Sequence, residues 1–232
     1  SMTGLQKGLI RLARSKNKVS ITATQMLESM IHSGSPTRAE VSDVANAVMD
    51  GSDAIMLSAE TAVGSNPVAA VRTMAEVAVG AEKHEQFSRA ANYRLDDIFR
   101  FVDEAIAMAA MYTANHLDVK AIVAMTESGS TCLWMSRVRS GIPVFAFTRH
   151  ESTRRRVTMY RGVYPLDFDV LAAGSSRRLY AYVFNRLIRE HAVAPGDKIL
   201  LTRGEFEGIA GGTNTMQVLT VPETMNALDG DD

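Results

Sequence analysis

The stretch ITATQMLESM, Ile21 to Met30, opens as an apolar strand and turns polar without a conventional turn signal. Val19 to Ala23 is a short β-branched run of strand type, and Thr24 and Gln25 stand where it ends. Proteins with parallel strands keep their chemistry at the carboxyl ends of those strands. The meaning of the polar pair therefore depends on what flanks it.

Upstream, Leu5, Leu9, Ile10, Leu12 and Ala13 give a helical period that ends near Lys16-Asn17-Lys18. Downstream, Ser35 to Glu40 reads as a helix start, with Thr37 as cap and Glu40 reaching back to close a capping box. Val41, Val44, Ala45 and Val48 supply that helix's inner face, and Asp50-Gly51 stops it. Ala54 to Leu57 is a second strand, Ser58 to Thr61 a loop, and Asn66-Pro67 a cap followed by proline at the first helical position. The helix from Pro67 to about His84 turns Val68, Val71, Ala75 and Ala78 inward. Such alternation implies parallel strands joined by helical crossovers. Thr24-Gln25 and Ser58-Ala-Glu60 then crown successive strands on one side, either as a site or as caps for the loops' own amides.

A polar stretch, Phe87 to Arg94, marks a domain boundary. Beyond it come a long helix with Ile98, Val102, Ala105, Ala109 and Tyr112 on one stripe, and a strand from Ala121 to Met125. Strands follow at Val144–Phe147, Gly162–Leu166, Ile199–Thr202 and Met216–Val221, with a short helix near Thr153 and another through Leu179, Val183 and Leu187. This second block is a separate α/β domain, three layers deep, with a mixed sheet of about five strands.

Composition narrows the function classes. With 46% hydrophobic and 22% charged residues, the 232-residue chain is globular and long enough for a real core. A net charge of -1 supplies no electrostatic reason for nucleic acid or anionic membrane as partner. Cys132 is the one cysteine, which excludes an intramolecular disulfide and a cysteine zinc cluster and fits a reducing cytoplasm. The five histidines show no paired ligand spacing, so no metal site is expected. Ser1-Met2 reads as the remnant of a cleaved tag, which suggests that the protein begins inside a larger parent. The acidic tail Asp229 to Asp232 reads as frayed.

Other features have plain structural readings. The run Thr153-Arg-Arg-Arg156, with Arg149, His150 and Arg161 nearby, lacks interleaved aromatics beyond Tyr160 and reads as a solvated helix face rather than a nucleic-acid surface. Met26, Met30, Met108 and Met111 fill core gaps, and Trp134 is packing. Thr126-Glu-Ser-Gly-Ser-Thr131 is the exception. It follows a strand and opens a helix, with a glycine for close approach and several hydroxyls, as a phosphate site does.

The stretches ITATQMLESMI (21–31), SPTRAEVSDVANAVMDGSDAIMLSAETAVG (35–64), TESGST (126–131), YRGVYPL (160–166) and GGTNT (211–215), in that order, resemble pyruvate kinase. The resemblance implies that residues 3–86 are the C-terminal part of a (β/α)8 barrel catalytic domain and that 95–232 form the family's C-terminal effector domain. It implies glycolytic phosphoryl transfer from phosphoenolpyruvate to ADP, giving pyruvate and ATP, with Mg2+ and K+. That chemistry needs cations to neutralise the phosphoryl group and a proton donor for the enolate left behind. By resemblance Thr24 lies beside the substrate's methylene carbon, and Ser58 and Glu60 complete a proton relay. The family's phosphoryl-polarising lysine, acidic metal ligands, potassium ligands and most nucleotide contacts belong to earlier barrel strands. Asp43, Asp50 and Asp53 read as solvated caps, so these residues alone are expected to be inactive. Two strands cannot close a barrel, and 3–86 is expected to rearrange, pair with another chain or stay partly disordered.

In the second domain the resemblance makes Thr126, Ser128, Gly129, Ser130 and Thr131 an effector loop for a sugar phosphate. Glu127 and the acidic stretch Gly204-Glu-Phe-Glu-Gly208 disfavour a bisphosphate by Coulomb repulsion, which points to a sugar monophosphate or AMP. A homotetramer, or at least a homo-oligomer, is implied for the parent. The rival is a stand-alone phosphosugar- or nucleotide-binding regulatory module, which would have no need of two barrel strand ends.

Overall fold

The structure is a computed structural model that describes residues 2–23, 25–83, 98–169, 174–205 and 211–223. The chain divides into two compact units, Ser1–Ala90 and Ala91–Asp232.

In the first unit, α1 (Met2–Ser15) leads into β1 (Ile21–Thr22), a 3₁₀ turn (Glu28–Ile31), α2 (Arg38–Asp50), β2 (Ala54–Ile55), α3 (Ala59–Ala62) and α4 (Pro67–Glu82). Local chemistry sets the helix ends. Thr37 and Glu40 form the reciprocal capping box, Gly51 closes α2 in the left-handed conformation, and Asn66 accepts from the Ala69 amide before Pro67. β1 and β2 pair in parallel, Ile21 with Ala54 and Thr22 with Ile55. Each strand is two residues long, shorter than the sequence pattern suggests, because each has one strand neighbour among the described residues. Met26, Leu27, Met30, Val44, Ala47, Ala70 and Met74 make the core.

Two expectations fail here. Ser58 to Thr61 is no open loop: the Thr61 and Ala62 amides bond back to the Ser58 carbonyl at 3.2 and 2.9 Å and begin α3. The inner face of α4 is Ala70, Met74 and Ala81, whereas Val71 is exposed and Val68 is 67% exposed. Small alanines let α4 approach Val44 and Ala47 of α2, and that close fit outranks the more hydrophobic valine stripe.

The second unit runs α5 (Val102–His116), β3 (Val119–Met125), α6 (Ser130–Ser136), β4 (Val144–Thr148), α7 (Glu151–Val157), β5 (Val163–Asp167), α8 (Ser176–Arg189), β6 (Lys198–Gly204) and β7 (Thr213–Thr220). The five-stranded sheet has the order β5-β4-β3-β6-β7, parallel except for the antiparallel β6–β7 pair. Ala121 to Met125 is buried on both faces, as a parallel sheet with helices on either side requires. Leu179, Val183, Phe184 and Leu187 of α8 pack on Ala121, Val123, Phe147, Ile199 and Leu201.

The stripe expected to face inward on α5 faces outward instead. Val102 is 64% exposed, Ala109, Tyr112 and the preceding Ile98 are exposed, and Ala107, Met108, Ala110, Met111 and Ala114 are buried. The four methionines read as core filling are all buried.

The chain passes β3, β4, β5 outward in one direction, then crosses back to place β6 on the other side of β3. The carboxyl ends of β3 and β6 therefore bound the crevice where open α/β sheets bind ligands. No helix among the described residues is long and apolar enough to cross a membrane.

Candidate functional site

The residues singled out in the sequence fall into two sets, one in each unit. In the first, parallel pairing of β1 and β2 puts the segments after Thr22 and Ile55 at one edge. Thr24 lies outside the described residues. Gln25 takes a left-handed φ of 52°, uncommon for a residue with a side chain and typical of turns and functional sites.

Glu60, only 3% exposed, ties the two strand ends together. One carboxylate oxygen accepts from the Leu27 amide at 3.0 Å and the other from the Ser58 amide at 2.9 Å. Burial alone would raise its pKa, but the Ser58 and Leu27 amides outweigh that and lower it, against repulsion from Glu40. A carboxylate held ionised in this way orients its neighbours and is a weak proton acceptor. It is a poor proton donor.

Glu40 does two jobs. Besides closing its capping box it accepts from the Ser29 amide at 2.7 Å and the Ser29 hydroxyl at 2.6 Å, fixing the 3₁₀ turn to α2. Burial opposes ionisation, and the bonds from Ser29 and Thr37 overcome it, bringing the pKa down to about 2. Neither the Glu40–Ser29 nor the Glu60–Leu27 link has a sequence signal, since both span loops. Asp53 likewise accepts from the Ser20 amide and hydroxyl, and Asp50 pairs with Lys7, so neither is a merely solvated cap. Among the described residues no three of His, Cys, Asp and Glu converge as a metal-binding group.

In the second unit the 126–131 loop leaves β3 at the crevice. Gly129 sits at φ 82°, and a Cβ there would come within 2.8 Å of Val157, so glycine is required both for conformation and for space. The loop is tied from several elements. Thr126 accepts from the Gly129 amide at 2.9 Å, Thr153 donates to the Glu127 carbonyl at 2.6 Å, and Arg156 donates to the Ser128 carbonyl at 3.3 Å. The basic run is thus only partly a solvated face, as Arg155–Glu151 is; Thr153 and Arg156 brace the loop.

Glu127 pairs with His150 and, at 3.4 Å, with Arg149. The Arg149 guanidinium offsets part of its charge, which weakens the expected repulsion of a second phosphate from this residue. Glu205 closes a turn through its amide to Asn214, and the stretch 206–210 lies outside the described residues.

The expected row of ligand hydroxyls is mostly committed elsewhere. Thr131 is 1% exposed and bonds Thr213 at 2.7 Å. Ser128 donates to Ser130 at 3.2 Å, and Ser130 donates to Asp103 at 2.9 Å. Asp103 is the residue that sequence reading missed. It comes from the first turn of α5, and nothing local announces a partner 27 positions away. Cys132, fully buried behind the loop, has its thiol pKa pushed up to about 12 by that burial and is unreactive.

The Pyruvate kinase, alpha/beta domain family matches residues 104–219, and the Pyruvate kinase, barrel domain family matches residues 1–71. The chain belongs to the pyruvate kinase family. Pyruvate kinase II of Salmonella typhimurium is 51% identical over 222 residues, covering 95% of this chain and 45% of that protein. Pyruvate kinase of Buchnera aphidicola subsp. Baizongia pistaciae is 48% identical over 221 residues, covering 95% and 46%, and that of Thermotoga maritima is 41% identical over 219, covering 94% and 45%. The chain spans about half the length of the curated pyruvate kinases it matches. Residues 1–71 match the family's barrel domain, so the rival reading of a regulatory module without a barrel does not hold.

Proposed function

We propose that this chain is the part of a pyruvate kinase that supplies the proton-handling edge of the active site and the effector domain. Residues 3–86 are the C-terminal part of the barrel and 95–232 the effector domain. The parent transfers the phosphoryl group of phosphoenolpyruvate to ADP in the cytoplasm, as a homotetramer, with Mg2+ and K+ as its ions. Thr24 is assigned beside the substrate's methylene carbon, with Ser58 and Glu60 in the relay behind it.

One observation carries this reading: Glu60 takes an amide from each of two strand-end loops, so the groups at both ends are held as one unit. An ionised Glu60 suits a relay in which it orients the groups through which Thr24 or water delivers a proton. A coupled assay tests the assignment. The 232-residue chain alone is expected to give no metal-dependent turnover, and turnover by it would overturn the division of labour. In the longer protein, Glu60→Gln is expected to lower kcat, and an unchanged kcat would remove Glu60 from the relay.

The effector is proposed to be a sugar monophosphate or AMP, held by Thr126, Ser128, Gly129, Ser130 and Thr131 at the β3–β6 crevice. Glu205, directly after the end of β6, supports a single phosphate over two, and Glu127 adds less because Arg149 sits against it. Isothermal titration with ribose 5-phosphate, glucose 6-phosphate and fructose 1,6-bisphosphate decides it. Tighter binding of the bisphosphate would reverse the assignment.

A further inference from the structure

Asp103 is 5% exposed and places one carboxylate oxygen against two donors from α6, Ser130 Oγ at 2.9 Å and Trp134 Nε1 at 3.3 Å. Its other oxygen accepts the Glu104 amide at 3.0 Å. A carboxylate can only accept, and an indole N–H can only donate, so the direction of every bond is fixed. Ser130 must therefore send its hydrogen back to Asp103. Ser128 donates to the oxygen of Ser130, which extends the same direction one step further toward the loop. Both hydroxyl hydrogens run inward, toward α5.

The two serines differ in what they can do next. Ser128 can rotate its hydrogen outward and leave only a hydroxyl lone pair behind. Ser130 cannot do so without stripping a hydrogen bond from a buried carboxylate, which is among the more costly bonds to leave unmade. We infer that Asp103 is a positioning residue that selects Ser128 over Ser130 as the hydroxyl donor to a phosphate monoester at the 126–131 loop. This rests on the proposed reading of that loop as an anion site. It goes further by naming which hydroxyl serves and what decides it.

Replacement of Asp103 by alanine releases the arrangement. Ser130 and Trp134 both lose the oxygen they share as acceptor, and the Ser130 hydrogen is free to turn toward the crevice. The one tryptophan in the chain also becomes a reporter, because its indole bonds the same oxygen as Ser130.

The test is a titration of the 232-residue chain with ribose 5-phosphate, followed by Trp134 emission and by calorimetry, with ribose as the uncharged control. In the unsubstituted protein, Ser128→Ala is expected to weaken binding about tenfold, the scale of one hydrogen bond to a charged group, and Ser130→Ala to weaken it less. Asp103→Ala is expected to tighten ribose 5-phosphate about tenfold, and adding Ser130→Ala to it should erase that gain. A purely structural role for Asp103 predicts loss and not gain, with no reversal by the second substitution. Equal losses from the two serine variants, or a gain that persists in the double variant, overturn the inference while the loop remains an anion site. Absence of saturable ribose 5-phosphate binding in both the unsubstituted protein and Asp103→Ala overturns the loop reading, and the inference falls with it.

Discussion

The two units are held together by different means. In the first, helix ends carry strong local signals, the Thr37–Glu40 box, the left-handed Gly51 and the Asn66-Pro67 cap, while the strands are two residues long and the apolar residues Leu5, Leu9, Leu12, Ile21 and Met56 remain exposed. In the second, α5, α6 and α7 have no side-chain cap, and their positions are set by a sheet buried on both faces. The first unit is locally specified with a small core. The second is locally underspecified with a large one. Caps contribute about 1 kcal/mol each, whereas a fully buried leucine contributes several times that, so the two units should fail in different ways.

The largest expected effect is in the second unit. Leu201, fully buried in β6, should cost about 3 kcal/mol on substitution by alanine, through lost burial and the cavity left behind. Denaturant unfolding followed by Trp134 emission measures it, and a cost under about 1 kcal/mol would break the contrast. Next is Glu60→Ala, which strands two amides and should cost about 2 kcal/mol in the first unit. Hydrogen exchange should accelerate at Leu27 and Ser58 and leave β3 unchanged; acceleration in both units would mean they unfold together.

A pH series sharpens the same division. The folded Glu40 carboxyl titrates at about 2 instead of its ordinary 4.5. Its contribution is therefore complete above pH 4.5 and is lost as the pH falls toward 2. The exchange protection of the Ser29 and Glu40 amides should fall through that window, and Glu40→Gln should remove the dependence. The smallest effect is Asn66→Ala, which removes one cap bond and should cost about 1 kcal/mol, read as exchange at Ala69. If the cap variant cost more than Glu60→Ala, caps and not buried links would govern the first unit.

Much of the fold is legible in the chain because element ends are written in short-range chemistry. The capping box at Thr37, the stop at Gly51 and the β-branched runs of β3 to β6 all act within a few residues. The inner faces of α4 and α5 are not legible. In α4 a valine stripe competes with an alanine–methionine one, and in α5 the stripe through Val102 and Tyr112 does so; a hydrophobic ranking selects the wrong one in both. The site divides in the same way. Thr126 to Thr131 can be found from its glycine and hydroxyls, but the partners that commit those hydroxyls, Asp103 and Thr213, lie 27 and 82 positions away.

The sequence by itself determined the capped ends of α2 and α4, the alternation of helices and strands, and the family. Those features depend on contacts within a turn or two, or on the identity of residues in order. Tertiary structure alone decided which helix face is buried, that Glu60 joins two loops, and that Ser130 is already spent on Asp103. These rest on shape complementarity and on hydrogen-bond direction across long separations, and both are properties of an arrangement in space that no short window of sequence contains.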